Sequence, residues 1–117
     1  MKVWIIDDEQ EVIDFFEEKI KPMDYIDLVV FNSLEEFLKA VEGEEIPDMI
    51  FLDGNLDGSN LSSVDLVKKI REDKGSDILI YALTNSMRIE KEMEEAGASG
   101  YFRKDDFELI EKTLTKR

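Results

Sequence analysis

The chain has 117 residues and a net charge of −14, which allows one domain with a hydrophobic core and disfavours binding to nucleic acid or an anionic membrane. It has no Cys and no His, which excludes disulfides, thiolate chemistry, imidazole bases and zinc sites built on these ligands. No apolar run approaches the roughly 20 residues of a membrane span and no signal peptide precedes the first run, so the sequence predicts a cytoplasmic protein.

Two apolar runs in the first third of the chain, residues 3–6 and 28–31, predict β-strands. The acidic segment 7–11 follows the first run and predicts the start of a helix, which Pro22 ends. The apolar positions of this helix recur at helical spacing and are Val12, Ile13, Phe16 and Ile20. The chain is therefore expected to open with a strand, a helix and a second strand.

A second helix and a third strand follow. Ser33, with Glu36 three residues later, predicts a capping box at the start of the helix, and Gly43 predicts its end. The apolar face of this helix consists of Leu34, Phe37, Leu38 and Val41. Residues 49–52 are a continuous apolar run between turn residues, and the run ends in Asp53. Such a run predicts a strand buried on both faces, with Asp53 where the strand leaves the sheet.

The second half of the chain continues the same alternation. Residues 62–72 and 87–96 predict the third and fourth helices, and residues 78–83 and 101–103 predict the fourth and fifth strands. A last helix is expected to begin near Asp105. Five strands that alternate with five helices predict an α/β fold with a doubly wound parallel sheet and helices on both faces.

Polar residues follow the predicted strands at their carboxyl ends. These residues are Asp7 and Asp8 after the first strand, Asp53 after the third, Thr84 after the fourth and Lys104 after the fifth. In an open parallel sheet these ends meet at one edge, where ligands bind. A flavodoxin has the same alternation of elements, but an acidic loop after the first strand repels a bare phosphate and attracts a cation. Taken alone, Asp7 is better explained as a helix cap.

In order and in spacing, these residues resemble the receiver domain of two-component response regulators. Asp8 precedes Asp53 by 45 residues, Asp53 precedes Thr84 by 31, and Thr84 precedes Lys104 by 20. The segment that leads into Lys104 is also similar to that of the family. The resemblance covers essentially all of residues 1–117 and implies one receiver domain with a flavodoxin-like sheet of strand order 2-1-3-4-5.

The resemblance implies a chemical role for each of these side chains. Asp53 would be the nucleophile that accepts a phosphoryl group as an acyl phosphate, and Lys104 and Thr84 would contact its oxygens. The cofactor would be Mg²⁺, which neutralises crowded carboxylates with oxygen ligands and retained waters. Its implied ligands are Asp8, Asp53 and the backbone carbonyl of Asn55, with Asp7 acting through water.

The resemblance implies a signalling switch and not a free-standing enzyme. A partner histidine kinase or histidine phosphotransfer protein would supply the phosphoryl group, because the chain has no His. Output would run through the surface between the fourth strand and the fifth helix, toward a protein target that the sequence does not name. Thr84 and Tyr101 would form the switch, although edge-strand packing explains Tyr101 equally well. No output domain follows, so the sequence predicts a stand-alone switch unless it belongs to a longer chain.

Three features depart from the family pattern. Asp105 follows Lys104 where the family usually has Pro, which leaves the isomer of that peptide bond open. Asn85 follows Thr84 where the family usually has a small residue that lets phosphate enter. The loop of residues 54–60 lacks the usual proline and is longer than expected.

Two other functions compete with the phosphoryl switch. The first is a receiver-like protein-interaction module that is never phosphorylated, which the departures favour and the complete set of acids, Thr and Lys opposes. The second is a metal-dependent phosphatase with an aspartyl nucleophile. That class needs a second Asp two residues after the nucleophile, where this chain has Asn55, and a substrate cap for which 117 residues leave no room.

Overall fold

The computed structural model describes residues 1–56 and 62–115. Its strands within these ranges are β1 (Lys2–Ile6), β2 (Asp27–Phe31), β3 (Met49–Asp53), β4 (Leu79–Leu83) and β5 (Gly100–Phe102). They pair in parallel in the order β2-β1-β3-β4-β5, which confirms the predicted sheet. Each strand overlaps the apolar run that predicted it.

Helices connect the strands on both faces of the sheet. They are α1 (Gln10–Phe15, continued as a π-helix over Phe16–Ile20), α2 (Leu34–Glu42), α3 (Ser63–Lys74), α4 (Met87–Ala96) and α5 (Phe107–Thr115). The apolar spacing of α1 did not predict that its second half is a π-helix. There the Lys21 N–H donates to the Phe16 carbonyl, five residues earlier, at 2.9 Å. In the described ranges, every helix is too short or too polar to cross a membrane.

The sheet separates two hydrophobic cores because alternate strand residues point to opposite faces. Trp4 and Ile50 face the core that α2, α3 and α4 cover. Val3 and Phe51 face the core that α1 and α5 cover. All five residues of β3 are buried, as its uninterrupted apolar sequence predicted.

Serine side chains cap the starts of α2 and α3. The Ser33 hydroxyl accepts the Glu36 N–H at 3.2 Å, which is the serine half of the capping box predicted for α2. The reciprocal pair is complete at α3 instead, where Ser62 and Asp65 each accept the backbone N–H of the other. The local sequence therefore predicted where both helices begin.

Arg71, which the sequence analysis did not single out, joins the end of α3 to the turn before β4 and to the turn between α4 and β5. Its guanidinium donates to the carbonyls of Ile78 at 2.7 Å, Gly97 at 2.9 Å and Gly75 at 3.2 Å, and to the Ser99 hydroxyl at 3.3 Å. Gly97 has a φ of 124°, and a Cβ there would lie 3.1 Å from Arg71 Cγ. A larger residue at position 97 would therefore crowd the Arg71 side chain.

We expect Arg71→Lys to lower the free energy of unfolding by about 1 to 3 kcal/mol, because a lysine ammonium cannot reach four acceptors fixed around a planar fork. Urea unfolding measures the loss. Arg88→Lys is the matched control, since the exposed Arg88 pairs with Glu92 one turn away and its replacement should cost less than about 0.5 kcal/mol. Equal losses in the two variants would contradict the role of Arg71.

Candidate functional site

Four of the polar residues at the carboxyl ends of the strands are buried. They are Asp7, Asp53, Thr84 and Lys104, and each is at most 6% exposed. Asp7 follows β1, Asp53 ends β3, Thr84 follows β4 and Lys104 lies just beyond β5. The parallel strand order thus brings together residues that are far apart in the sequence, as the sequence analysis expected.

The carboxylates of Asp7, Asp8 and Asp53 form a cluster. One oxygen from each lies within 4.8 Å of the others, which is close enough to share one metal ion. Asp7 and Asp53 are buried, whereas Asp8 is exposed, so the cluster opens to solvent at Asp8. Oxygen donors held this close are the ligand type that a hard divalent cation prefers.

The Lys104 ammonium lies among three carboxylates. Its Nζ is 2.8 Å from Asp53 Oδ1, 2.9 Å from Glu9 Oε1 and 3.3 Å from Asp7 Oδ2. The sequence predicted a lysine that neutralises the acidic pocket, but it did not predict the contact with Glu9. The position of Glu9 immediately before α1, next to the aspartate pair, is the signal that was available.

These contacts shift the pKa values of the buried groups. Burial, with a smaller contribution from the nearby Asp53 charge, raises the pKa of Asp7 to about 6, although the hydrogen bond from the Glu9 N–H and the charge of Lys104 oppose the rise. Burial also raises the pKa of Asp53, although hydrogen bonds from Lys104 and Asn55 oppose the rise. Burial alone would lower the pKa of Lys104, but its hydrogen bonds to Asp53 and Glu9 keep that pKa above its usual value. The lysine therefore stays charged beside carboxylates that are costly to ionise.

Asp7 and Asp53 have the same hydrogen-bonding pattern. The Glu9 N–H donates to Asp7 Oδ1 at 2.8 Å, and the Asn55 N–H donates to Asp53 Oδ1 at 2.9 Å. The second oxygen of each carboxylate, Oδ2, is buried and accepts no hydrogen bond from a described residue, although Asp7 Oδ2 lies 3.3 Å from Lys104 Nζ in the ion pair. Buried oxygens of this kind are costly unless a cation or water contacts them. The donor set therefore fits a divalent metal ion.

Ser63 and Gly54 fix the backbone around Asp53, and the sequence analysis assigned neither a role. The buried Ser63 hydroxyl donates to the Asp53 carbonyl and accepts the Leu56 N–H at 3.4 Å. A Cβ on Gly54 would lie 2.9 Å from Thr84 Cβ, so only glycine allows this approach. The predicted long loop falls partly on residues 57–61, which lie outside the described ranges.

The two residues after β4 connect it to the end of β5. The Thr84 hydroxyl accepts the Ser86 N–H at 3.0 Å, and the Thr84 N–H donates to the Phe102 carbonyl at 3.1 Å. Asn85 Oδ1 accepts the Lys104 N–H at 3.0 Å. Asn85, singled out above as a departure at the phosphate entrance, therefore supports the backbone of the buried lysine.

The remaining predicted residues lie outside the buried cluster. Asn55 is exposed at the start of the loop after β3. Tyr101 is 46% exposed on the edge strand β5. The peptide bond between Lys104 and Asp105 is trans.

Comparison with known proteins gives a family match and a set of structural neighbours. The family model of the response regulator receiver domain matches residues 3–115. No curated protein sequence matches the chain. The chemotaxis protein CheY4 of Vibrio cholerae is 21% identical with a TM-score of 0.79, and the alignment covers 98% of this chain and 96% of that one.

Two further neighbours differ in how much of their length is matched. The BeF3-activated DrrB receiver domain, from a Thermotoga maritima protein, is 20% identical with a TM-score of 0.74, over 98% of this chain and 94% of that one. NtrX of Brucella abortus is 17% identical with a TM-score of 0.77, over 98% of this chain but 26% of that one. The chain thus spans about a quarter of NtrX, and at these identities the likeness concerns the fold.

In metal-free buffer, we expect the free energy of unfolding to rise as the pH falls from about 7 toward about 5. Asp7 has a pKa of about 6 in the folded protein and about 4 in an unfolded chain. The folded state therefore binds more protons in this window, and stability falls as the pH rises through it. The contribution is on the order of 1 to 3 kcal/mol.

Urea unfolding at each pH, with a chelator present, measures this dependence. Asp7→Asn should flatten the slope and be more stable than the wild type near neutral pH. Asp24→Asn replaces an exposed carboxylate and should keep the wild-type slope. A wild-type slope in Asp7→Asn would show that the raised pKa belongs to another group.

Proposed function

Because the chain belongs to the response regulator receiver family, we propose that it is a phosphoryl-accepting signalling switch with Asp53 as the phosphoacceptor. The assignment of Asp53 as the phosphoacceptor depends on one observation. Asp53 is fully buried at the end of β3, with one oxygen held by Lys104 at 2.8 Å and the other without a donor from any described residue. A fixed carboxylate with one free oxygen is suited to nucleophilic attack.

The proposed site includes a Mg²⁺ ion. Asp8, Asp53 and the Asn55 carbonyl would hold it, and Asp7 would contact it through water. The three-carboxylate cluster supports this assignment, as does the buried Oδ2 of Asp53, which accepts no hydrogen bond from a described residue. When bound, the ion supplies positive charge that offsets the negative charge on phosphoryl oxygens.

The proposed reaction transfers a phosphoryl group from a histidine of a partner kinase or phosphotransfer protein. An Asp53 oxygen attacks the phosphorus and forms a P–O bond, while the P–N bond of the phosphohistidine breaks. The imidazole nitrogen keeps the electron pair of that bond. Residues 1–117 contain no His, so the phosphohistidine has to lie outside them. Lys104 would donate to one oxygen of the product.

Output is proposed to begin at Thr84. The phosphorylated Asp53 carries nearly two extra negative charges and new acceptor oxygens. Thr84 is buried close by, with its Cβ packed against Gly54, and its hydroxyl can turn from Ser86 to donate to the phosphoryl group. Such a movement would shift the β4–α4 loop and make room for the exposed Tyr101 to rotate inward.

We expect a small phosphodonor with Mg²⁺ to add one phosphoryl group to the wild type. The product should be labile to hydroxylamine, because it is an acyl phosphate. Intact mass spectrometry measures the addition. Asp53→Asn should abolish it and a chelator should prevent it. Asp8→Asn should raise the Mg²⁺ concentration that half-maximal labelling requires.

Asp48→Asn is the matched control, because Asp48 caps the opposite, amino end of the sheet by accepting the Lys2 N–H. It should be labelled like the wild type. Labelling of Asp53→Asn at the wild-type rate would move the acceptor to another residue. A wild type that no donor labels would favour the alternative, a receiver-like interaction module that is never phosphorylated.

We expect Thr84→Ala to accept the phosphoryl group but not to transmit its effect. Amide chemical shifts should change over residues 84–110 when the wild type is phosphorylated, and near Asp53 alone in the variant. Thr84→Ser keeps the hydroxyl and should restore the wide response. The same spread in Thr84→Ala and the wild type would exclude Thr84 as the relay and leave Tyr101 with a packing role.

A further inference from the structure

Lys104 contacts one carboxylate that none of the proposed roles uses. Glu9 Oε1 lies 2.9 Å from its Nζ, and Asp53 Oδ1 lies 2.8 Å from the same atom. The Glu9 side chain is 53% exposed, whereas that of Lys104 is 7% exposed, so Glu9 is the solvent-exposed partner of a nearly buried ammonium. The accessible face of the ammonium is therefore already occupied by an anion.

The space outside this ion pair is acidic. A cavity of about 200 Å³ opens there, and its lining includes Glu9, Glu11, Asn85, Lys104 and Asp105. Three of these side chains are carboxylates, and Lys104 is the ammonium that Asp53 and Asp7 also contact from within. Of the three carboxylates in this lining, Glu9 is the one that forms an ion pair with Lys104.

We propose that Glu9 is a positioning residue that acts through Lys104 to favour phosphoryl donors with a cationic leaving group over donors that are anionic throughout. This inference rests on the proposed function of Asp53. An anionic donor has to displace the Glu9 carboxylate from the Lys104 ammonium. Glu9 then has no cation to pair with, because the donor does not supply one. A donor whose leaving nitrogen is protonated offers Glu9 a new cation as it takes the place of Glu9 on Lys104.

Two small phosphodonors distinguish these cases. In acetyl phosphate the P–O bond breaks and acetate leaves with the electron pair, so every charge on the donor and on its leaving group is negative. In phosphoramidate the leaving nitrogen is already protonated, the P–N bond breaks, and neutral ammonia leaves with the electron pair. In both reactions the same Asp53 oxygen forms the new P–O bond, so the ratio of their rate constants isolates the leaving group.

The experiment measures the rate constant of phosphorylation by each donor at saturating Mg²⁺. Glu9→Gln keeps the size of the side chain and removes its charge, and its exposed position leaves folding intact. We expect it to raise the rate with acetyl phosphate roughly two- to fivefold and to change the rate with phosphoramidate less. Glu11→Gln is the matched control on the same helix and should leave the ratio of the two rates at its wild-type value.

A double-mutant cycle tests whether Glu9 acts through Lys104. In a Lys104→Ala background, Glu9→Gln should no longer change the preference between donors, because there is no ion pair left to open. Slower or unchanged labelling of Glu9→Gln by acetyl phosphate would overturn the inference. So would equal acceleration with both donors, an equal effect of Glu11→Gln, or an effect that persists without Lys104. A wild type that neither donor labels would overturn the proposed function and this inference together.

Discussion

The buried ion pair between Lys104 and Asp53 is the interaction on which the carboxyl edge of this sheet depends. It joins β3 to the segment after β5 across β4, at a separation of 2.8 Å and with almost no solvent contact. Asp7 and Asp8 add further negative charge within the same few ångströms, which a single ammonium does not balance. The edge therefore remains short of positive charge, which is the electrostatic condition for attracting a cation.

Backbone contacts hold the charged groups in place. Each buried aspartate accepts the N–H two residues ahead, which fixes one of its oxygens. Ser63 holds the carbonyl at the end of β3, and Asn85 holds the backbone of Lys104. The side chains that would react therefore require little reorganisation, because neighbouring N–H and hydroxyl groups already set their directions.

The sheet, the helix starts and the convergence of acids and lysine at one edge were predictable, because each depends on a pattern within a few residues. Glu9, Ser63 and Arg71 were not, since the importance of each arises from contacts with residues distant in the sequence. In the sequence, Ser63 looks like any serine near the start of a helix. Its hydrogen bond to the Asp53 carbonyl is visible only in the folded structure, where β3 lies beside it. Asn85 was noticed for its size, but its hydrogen bond to Lys104 appears when β4 and β5 are paired.

The division of the interior into two cores has a consequence for how such a chain can diverge. Within the described ranges, Trp4 and Phe51 belong to separate clusters, although their strands are adjacent. A change of side-chain volume on one face alters the packing of the neighbours on that face. Residues on the other face are affected through the shared backbone alone. Each half can therefore accumulate compensating substitutions independently, and the polar edge keeps its geometry as long as the strands keep their register. A fold arranged in this way can retain its architecture while most of its interior residues are replaced, in keeping with neighbours that share about a fifth of its residues.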